Sequence, residues 1–250
     1  MASEAIPTSE ILGVKVAQLT VEQFIEQLVS AARARRHWRV GYVNAANFNL
    51  VAADRRYAEV LRASDVVYAD GQAVVWASRY LGCPLPERVN AGDFFVRFCA
   101  ACAREQLTLY LLGSRVGIAQ RAAENLVARC PGLRIVGARD GHFDPALSDM
   151  IVTEINHFAP DILVVGMGAP RQEFWVAERF DKLNVGVAWC VGALFEYLAG
   201  ETPRAPVWMR KAGLEWLFRL VLEPRRLWRR YLVGNWSFLW RVWRSRRRTK

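Results

Sequence analysis

Between Leu107 and Val191 the chain alternates short apolar runs with helical stretches, and that rhythm restricts the folds open to it. Leu107–Leu112 reads as a strand ending in Gly113-Ser114, followed by a helix over Ile118–Arg129 that stops at Pro131-Gly132. Leu133–Gly137 is the next strand, then a turn at Asp140-Gly141 and a helix over Leu147–Phe158. Asp161–Val165 enters Gly166-Met167-Gly168-Ala169-Pro170, helix Arg171–Phe180 follows, and Val185–Val191 is a further strand. Val40–Val43 and Val66–Tyr68 are two earlier strands, each running into polar residues. Strands divided by helices of this length predict an α/β protein with a parallel sheet covered on both faces. Such sheets take ligands at the carboxyl ends of their strands.

The C-terminal fifth is different in kind. Residues 201–250 hold 14 Lys+Arg against 3 Asp+Glu, a balance of +11, so residues 1–200 sum to −1 in a chain of +10. Six of the ten Trp lie there: Trp208, Trp216, Trp228, Trp236, Trp240 and Trp243. This divides the 250 residues into an α/β body, 1–200, and a basic, Trp-rich helical appendage, 201–250. Leu214, Leu217, Phe218 and Val221 form one helix face until Pro224. A second helix sets Arg225, Arg226, Arg229 and Arg230 opposite Leu227, Trp228, Tyr231 and Leu232. Gly234-Asn235 reads as a break, after which Trp236, Leu239, Trp240 and Trp243 repeat the pattern beside Arg241, Arg244 and Arg246–Arg248. Basic amphipathic helices bordered by Trp suit an anionic membrane surface. Packing of the Trp against the body is the blander reading. Nucleic acid is disfavoured because no reading module is present. The N-terminus lacks the pattern of a signal peptide and no run is long enough to span a bilayer, so the expectation is a cytosolic chain. Cys99 and Cys102 form a lone CxxC in a helical run without a second ligand pair, and read as buried small residues.

Three stretches can carry chemistry. Tyr42-Val43-Asn44-Ala45-Ala46-Asn47 follows a strand, as does Tyr68-Ala69-Asp70-Gly71. Asp70 stands where a sheet presents its ligand edge and could take a proton from a hydroxyl nucleophile; a helix N-cap is an equal reading of the same position. Gly166–Glu173 brings a strand into a Gly-rich turn and a helix start, a cradle for a diphosphate. It is neither a Walker loop nor a full dinucleotide fingerprint. Gln172 adds a polar group aimed at the same pocket.

Taken in order, these stretches carry a resemblance. Asn44, Tyr68-Ala-Asp-Gly-Gln with Val-Trp-Ala-Ser, Glu87-Arg88-Val89-Asn90-Ala91-Gly92-Asp93, Leu111-Leu112-Gly113-Ser114, Gly166–Glu173 and Gly213–Arg226 resemble the WecG/TagA/CpsF glycosyltransferases (glycosyltransferase family 26) across roughly residues 10–232. The resemblance implies a Rossmann-like body and a membrane-targeting C-terminal appendage. It also implies inverting transfer from a UDP-sugar to a lipid-diphosphate-linked sugar at the cytoplasmic face of the bacterial inner membrane, for cell-surface polysaccharides. Asp70 becomes the general base, with Asn44, Gln172, Arg219, Arg226 and Arg229 beside it. Tyr42, Gly71, Arg88, Asp93, Gly113, Ser114, Gly166, Gly168 and Pro170 would contact substrates. Tyr42 stands where the family has Thr, Ser114 where a second Gly is usual, and Ala91 where Gly follows Arg-Val-Thr; these departures bear on the donor more than on the reaction.

The expected reaction is a single displacement. Asp70 deprotonates an acceptor hydroxyl of an undecaprenyl-diphosphate-linked saccharide, and that oxygen displaces the nucleoside diphosphate with inversion. No Asp-x-Asp or His/carboxylate cluster is present, so no metal and no cofactor is expected. The Gly166–Gln172 turn and the appendage arginines would then meet the leaving charge. A non-catalytic membrane-bound adaptor that binds a nucleotide sugar is the alternative. A phosphotransferase is disfavoured by the missing Lys-bearing phosphate loop.

Overall fold

In the computed structural model, which describes residues 5–248, an N-terminal hairpin of β1 (Thr8–Ile11) and β2 (Val14–Ala17) leads into α1 (Val21–Arg33). There follow β3 (Trp38–Val43), α2 (Ala45–Ala53), α3 (Arg55–Arg62), β4 (Val66–Ala69), α4 (Gln72–Leu81) and α5 (Ala91–Arg104). The middle alternates β5 (Thr108–Gly113), α6 (Ile118–Arg129), β6 (Arg134–Arg139), α7 (Ser148–Phe158), β7 (Ile162–Gly166), α8 (Arg171–Arg179) and β8 (Val187–Cys190). Six strands pair in the order β4-β3-β8-β7-β5-β6, all parallel. The predicted Rossmann-like α/β sheet, helices on both faces, is therefore the observed one.

Strand alternation explains the two faces. Tyr68, Leu109, Leu111, Val164 and Trp189 point into one core, with Phe24 of α1 and Phe94, Phe95 and Phe98 of α5. The indole of Trp189 lies 5.1–6.1 Å from the rings of Phe24, Phe94, Phe95 and Phe98, an aromatic plug under the sheet centre. Tyr110, Leu112, Leu163, Val165 and Cys190 point the other way, toward α7 and α8. Each buried aromatic of this size contributes about 2–3 kcal/mol of transfer free energy. Cys99 and Cys102 are free thiols fully buried on α5, and burial raises both.

The C-terminal fifth is helical: α9 (Leu194–Leu198) closes the β8 turn, then come α10 (Val207–Lys211), α11 (Glu215–Leu222), α12 (Pro224–Trp228) and α13 (Gly234–Arg248). The expected break at Gly234-Asn235 is not there. A π-helical turn, Arg229–Val233, carries α12 straight into α13, and Gly234 keeps ordinary helical angles. Glycine suits the position for another reason: a Cβ there would fall 3.1 Å from Asn49 Nδ2, which donates to the Gly234 carbonyl at 2.8 Å. α13 seats Phe238 and Val242, one turn apart, beside Phe48 of α2 and leaves Trp236, Leu239, Trp240 and Trp243 exposed. No helix among the described residues is long and apolar enough to cross a membrane.

Candidate active site

Parallel registration brings the ends of β3 and β4 to one level, with Val43 opposite Ala69. Asn44 and Asp70 therefore leave adjacent strands side by side, and the backbone N–H groups of Asp70 and Gly71 both donate to the Val43 carbonyl. Gly71 is required by this closeness, because a Cβ on it would sit 2.8 Å from Asn44 Cβ. Asn44 caps α2: its Oδ1 accepts from the N–H groups of Ala46 (3.0 Å) and Asn47 (3.2 Å), while Asn47 Oδ1 takes Asn44 N–H. That leaves the amide side of Asn44 to bond the Asp70 carboxylate.

The competing N-cap reading of Asp70 does not hold. The cap of α4 is Gly71, with no side-chain bond. Asp70 instead accepts from Asn90 Nδ2 at 3.0 Å. Desolvation raises its carboxyl to about 6, the nearby Glu215 adds to the rise and Asp93 does so more weakly; Arg88 and the Asn44 bond oppose it. Such a carboxylate is still mostly ionised at neutral pH and is a stronger base than an ordinary aspartate.

The second half of the site is backbone. β5 and β7 end with Gly113 opposite Gly166, so close that a Cβ on Gly113 would lie 2.4 Å from the Gly166 carbonyl. Ser114, at φ 62°, adopts the left-handed conformation that makes Gly usual there. Its N–H donates to Gly166 O at 2.9 Å and its hydroxyl to Glu196 Oε1 at 2.7 Å. Gly168 turns at φ +81° with open space where a side chain would be, and the turn runs through Pro170 into α8.

Gln172 faces inward rather than into the open crevice. Its Oε1 accepts from Gly168 N–H (3.2 Å) and Gly192 N–H (3.0 Å), so one carboxamide ties the ends of β7 and β8 together. Its Nε2 donates to Glu173 Oε1 at 2.8 Å. Tyr42 reaches across from β3, and its phenol oxygen would be 2.5 Å from a Cβ on Gly192. Burial, Glu173 and Asp70 raise the Tyr42 hydroxyl, and Arg230 opposes them.

The third wall comes from the C-terminal fifth. At Gly213, φ +73°, the turn into α11 comes against Gln72 and Trp76 of α4, which begins two residues after Asp70. Arg88 pairs with Asp93 and with Glu215 (3.3 Å). Arg204 pairs with the same two carboxylates, at 3.1 and 3.3 Å, and donates to Asn90 Oδ1 at 3.3 Å. Arg210 also bonds Asp93. Of the three arginines singled out in the sequence, Arg219 is turned inward, 5.8 Å from the Tyr197 ring, with its Nε buried and unpartnered. Arg226 pairs with Glu223 on the surface, and Arg229 lies over Trp228. Arg230, whose positive charge opposes the rise of the Tyr42 hydroxyl, is not among the three. Asn90, Arg204 and Glu215 were not singled out either. Asn90 and Glu215 lie inside recognisable motifs, although nothing in the sequence shows their pairing; Arg204, a basic residue just after the body, lies in no motif. Among the described residues no group of three or more His, Cys, Asp or Glu is arranged to hold a metal ion.

A parallel α/β sheet with a carboxylate and Gly-rich turns at its strand ends defines a Rossmann-like frame with its ligand crevice at the carboxyl edge. Residues 9–250 match the model of the glycosyl transferase WecG/TagA/CpsF family, and the chain belongs to that family. It is a glycosyltransferase. A Staphylococcus aureus relative, an N-acetylglucosaminyldiphosphoundecaprenol N-acetyl-beta-D-mannosaminyltransferase, is 27% identical over 243 residues, 96% of this chain and 94% of its own. A Bacillus subtilis protein of the same name is 28% identical over 179 residues, 72% of this chain and 69% of its own.

Proposed function

We propose that this glycosyltransferase moves a hexose or N-acetylhexosamine from a UDP-sugar to an undecaprenyl-diphosphate-linked saccharide, with inversion, in cell-surface polysaccharide synthesis. The observation that carries the reading is Asp70: a carboxyl at the strand-end crevice, free of capping duty, held by Asn44 and Asn90 and raised to about 6. It removes the proton from the acceptor hydroxyl as that oxygen bonds to the anomeric carbon. The bond from that carbon to the diphosphate oxygen breaks, UDP leaves, and Asp70 keeps the proton. The names of the two relatives favour an N-acetylmannosamine donor and an N-acetylglucosamine acceptor.

Negative charge gathers on the departing diphosphate. The Gly166–Pro170 turn at the start of α8 and Arg219, whose Nε has no partner, are suited to receive it, with Arg230 adding the positive charge that acts on Tyr42. Arg226 would first have to leave Glu223, and Arg229 the Trp228 ring. Gln172 acts here by fixing the two glycine turns, while Tyr42, Gly71, Gly113 and Ser114 shape the crevice. The lipid-linked acceptor brings the enzyme to the cytoplasmic face of the inner membrane. Exposed Trp208, Trp236, Trp240 and Trp243, and a groove of about 490 Å³ with an apolar floor (Leu12, Phe48, Val51) and an arginine rim (Arg62, Arg241, Arg244), support that contact.

The test is a donor screen. UDP-N-acetylmannosamine, its uronic acid and UDP-glucose are each incubated with a short-chain polyprenyl-diphosphate N-acetylglucosamine and read by mass spectrometry. The reading expects one donor to extend the acceptor by a single sugar with release of UDP. Binding of a donor without transfer or UDP release from any pair would instead favour the adaptor.

A further inference from the structure

The loop before α5 and the C-terminal helices meet at Asp70 through a polar chain that the transfer step itself does not use. Asn90 spends both halves of its carboxamide: Nδ2 donates to Asp70 Oδ1 at 3.0 Å, and Oδ1 accepts from Arg204 at 3.3 Å. The orientation is thereby set, because an Asn turned over would present its oxygen to the carboxylate and its amide to a guanidinium. Arg204 is fixed in turn by Asp93 of α5 and Glu215 of α11, and Arg88 bridges the same two acids from the opposite side. All four of these charged side chains are 13–27% exposed, so their pairing is well shielded from solvent.

We propose that Asn90, gripped by Arg204, is a positioning residue for the Asp70 carboxylate, and that Glu215 makes the strength of that base depend on α11 lying against the body. The proposal rests on the base role given to Asp70 above. The groups facing Asp70 are Glu215 from α11, Arg88 and Asp93 from the α5 side, Asn44 from the cap of α2, and the phenols of Tyr42 and Tyr68 from β3 and β4. Only Glu215 among the charged ones belongs to the C-terminal helices. Its negative charge disfavours ionisation of Asp70, whereas Arg88 favours it. With α11 undocked, Glu215 leaves and Arg204 keeps only Asp93 of its two acids: the carboxylate loses the neighbour that raises it, and the arginine that holds Asn90 is less firmly fixed. A docked chain therefore carries a stronger and better aimed base than an undocked one.

The experiment measures full-length protein with a soluble short-chain acceptor, reading the pH dependence of kcat and, separately, the titration of the Asp70 carboxyl by carbon-13 NMR. Glu215→Gln should move both the acid limb and the NMR midpoint to lower pH. Asn90→Asp, which sets a like charge against Asp70, should move both to higher pH. Asn90→Ala should lower kcat by about tenfold or more while donor KM stays within about twofold, as expected for a misplaced reacting group. Arg204→Lys, which keeps the charge without the fork, should fall between wild type and Arg204→Ala; it also serves if the alanine variant does not fold. Unmoved limbs and midpoints in Glu215→Gln and Asn90→Asp, with undiminished kcat in Asn90→Ala, would overturn the proposal. If the midpoints move as stated while kcat ignores them, the clamp stands and the base role of Asp70 fails.

Discussion

Glu173 carries a carboxyl that is 4% exposed, with one oxygen bonded to Gln172 and the other buried without a partner. Desolvation raises it to about 7, against the weaker pull of its hydrogen bonds. A carboxyl raised on folding holds its proton in the native state between about pH 4.5 and 7, where the unfolded chain has lost it. Native stability therefore falls across that window, and above it the full penalty is present. Glu173→Gln, which can still accept from Gln172, should stabilise the protein by about 2–3 kcal/mol at pH 8 and by almost nothing below pH 4.5. Urea unfolding at both pH values checks it, and equal midpoints for the two proteins at pH 8 would contradict it. The position of Asp70 after an apolar strand was readable from sequence, since strand ends face ligands. Its choice between base and cap was not, because that depends on where the next helix starts, and α4 takes Gly71. Gln172 was visible as polar in a Gly-rich turn, but its inward direction is set by Gly192, twenty residues away.

Elements explain why the arginines of one helical run differ in environment. α11, entered by the Gly213 turn against α4, directs Arg219 toward Tyr197, whereas Arg226 on α12 meets Glu223 one turn back, in solvent. Arg219→Gln should therefore lower kcat by about a hundredfold, and Arg226→Gln by less than about fivefold. Steady-state kinetics decides, and a larger loss for Arg226 would mean that α12 turns its arginine inward during transfer. The helix rhythm of Leu107–Val191 was legible to within a residue or two because strands buried on both faces are continuous apolar runs. α13 was legible only in part. Its Trp and Arg pattern dominated the sequence, while its anchors, Phe238 and Val242, look like minor members of the same stripe until Phe48 of α2 is seen beneath them. Gly234 misled for a related reason: glycine usually ends a helix, and here it admits Asn49.

At the scale of the molecule, a near-neutral sheet carries a cationic, aromatic edge next to its site. Trp236, Trp240 and Trp243, all more than two-fifths exposed, are free to enter a lipid headgroup layer without loosening the core. Changing all three to Ser should weaken sedimentation with anionic vesicles by about tenfold or more and leave turnover of a soluble short-chain acceptor unchanged. Undiminished sedimentation would assign lipid contact to another surface. The proposal that arginines and backbone N–H groups answer the leaving charge predicts that EDTA leaves the transfer rate within about twofold of normal; strict dependence on an added divalent ion would refute it. The proposed transfer turns on Asp70. Asp70→Asn should bind the UDP-sugar donor with unchanged affinity by calorimetry yet lose about 10²–10⁴-fold in single-turnover transfer, the range expected for a general base. Transfer at the wild-type rate by Asp70→Asn would contradict it.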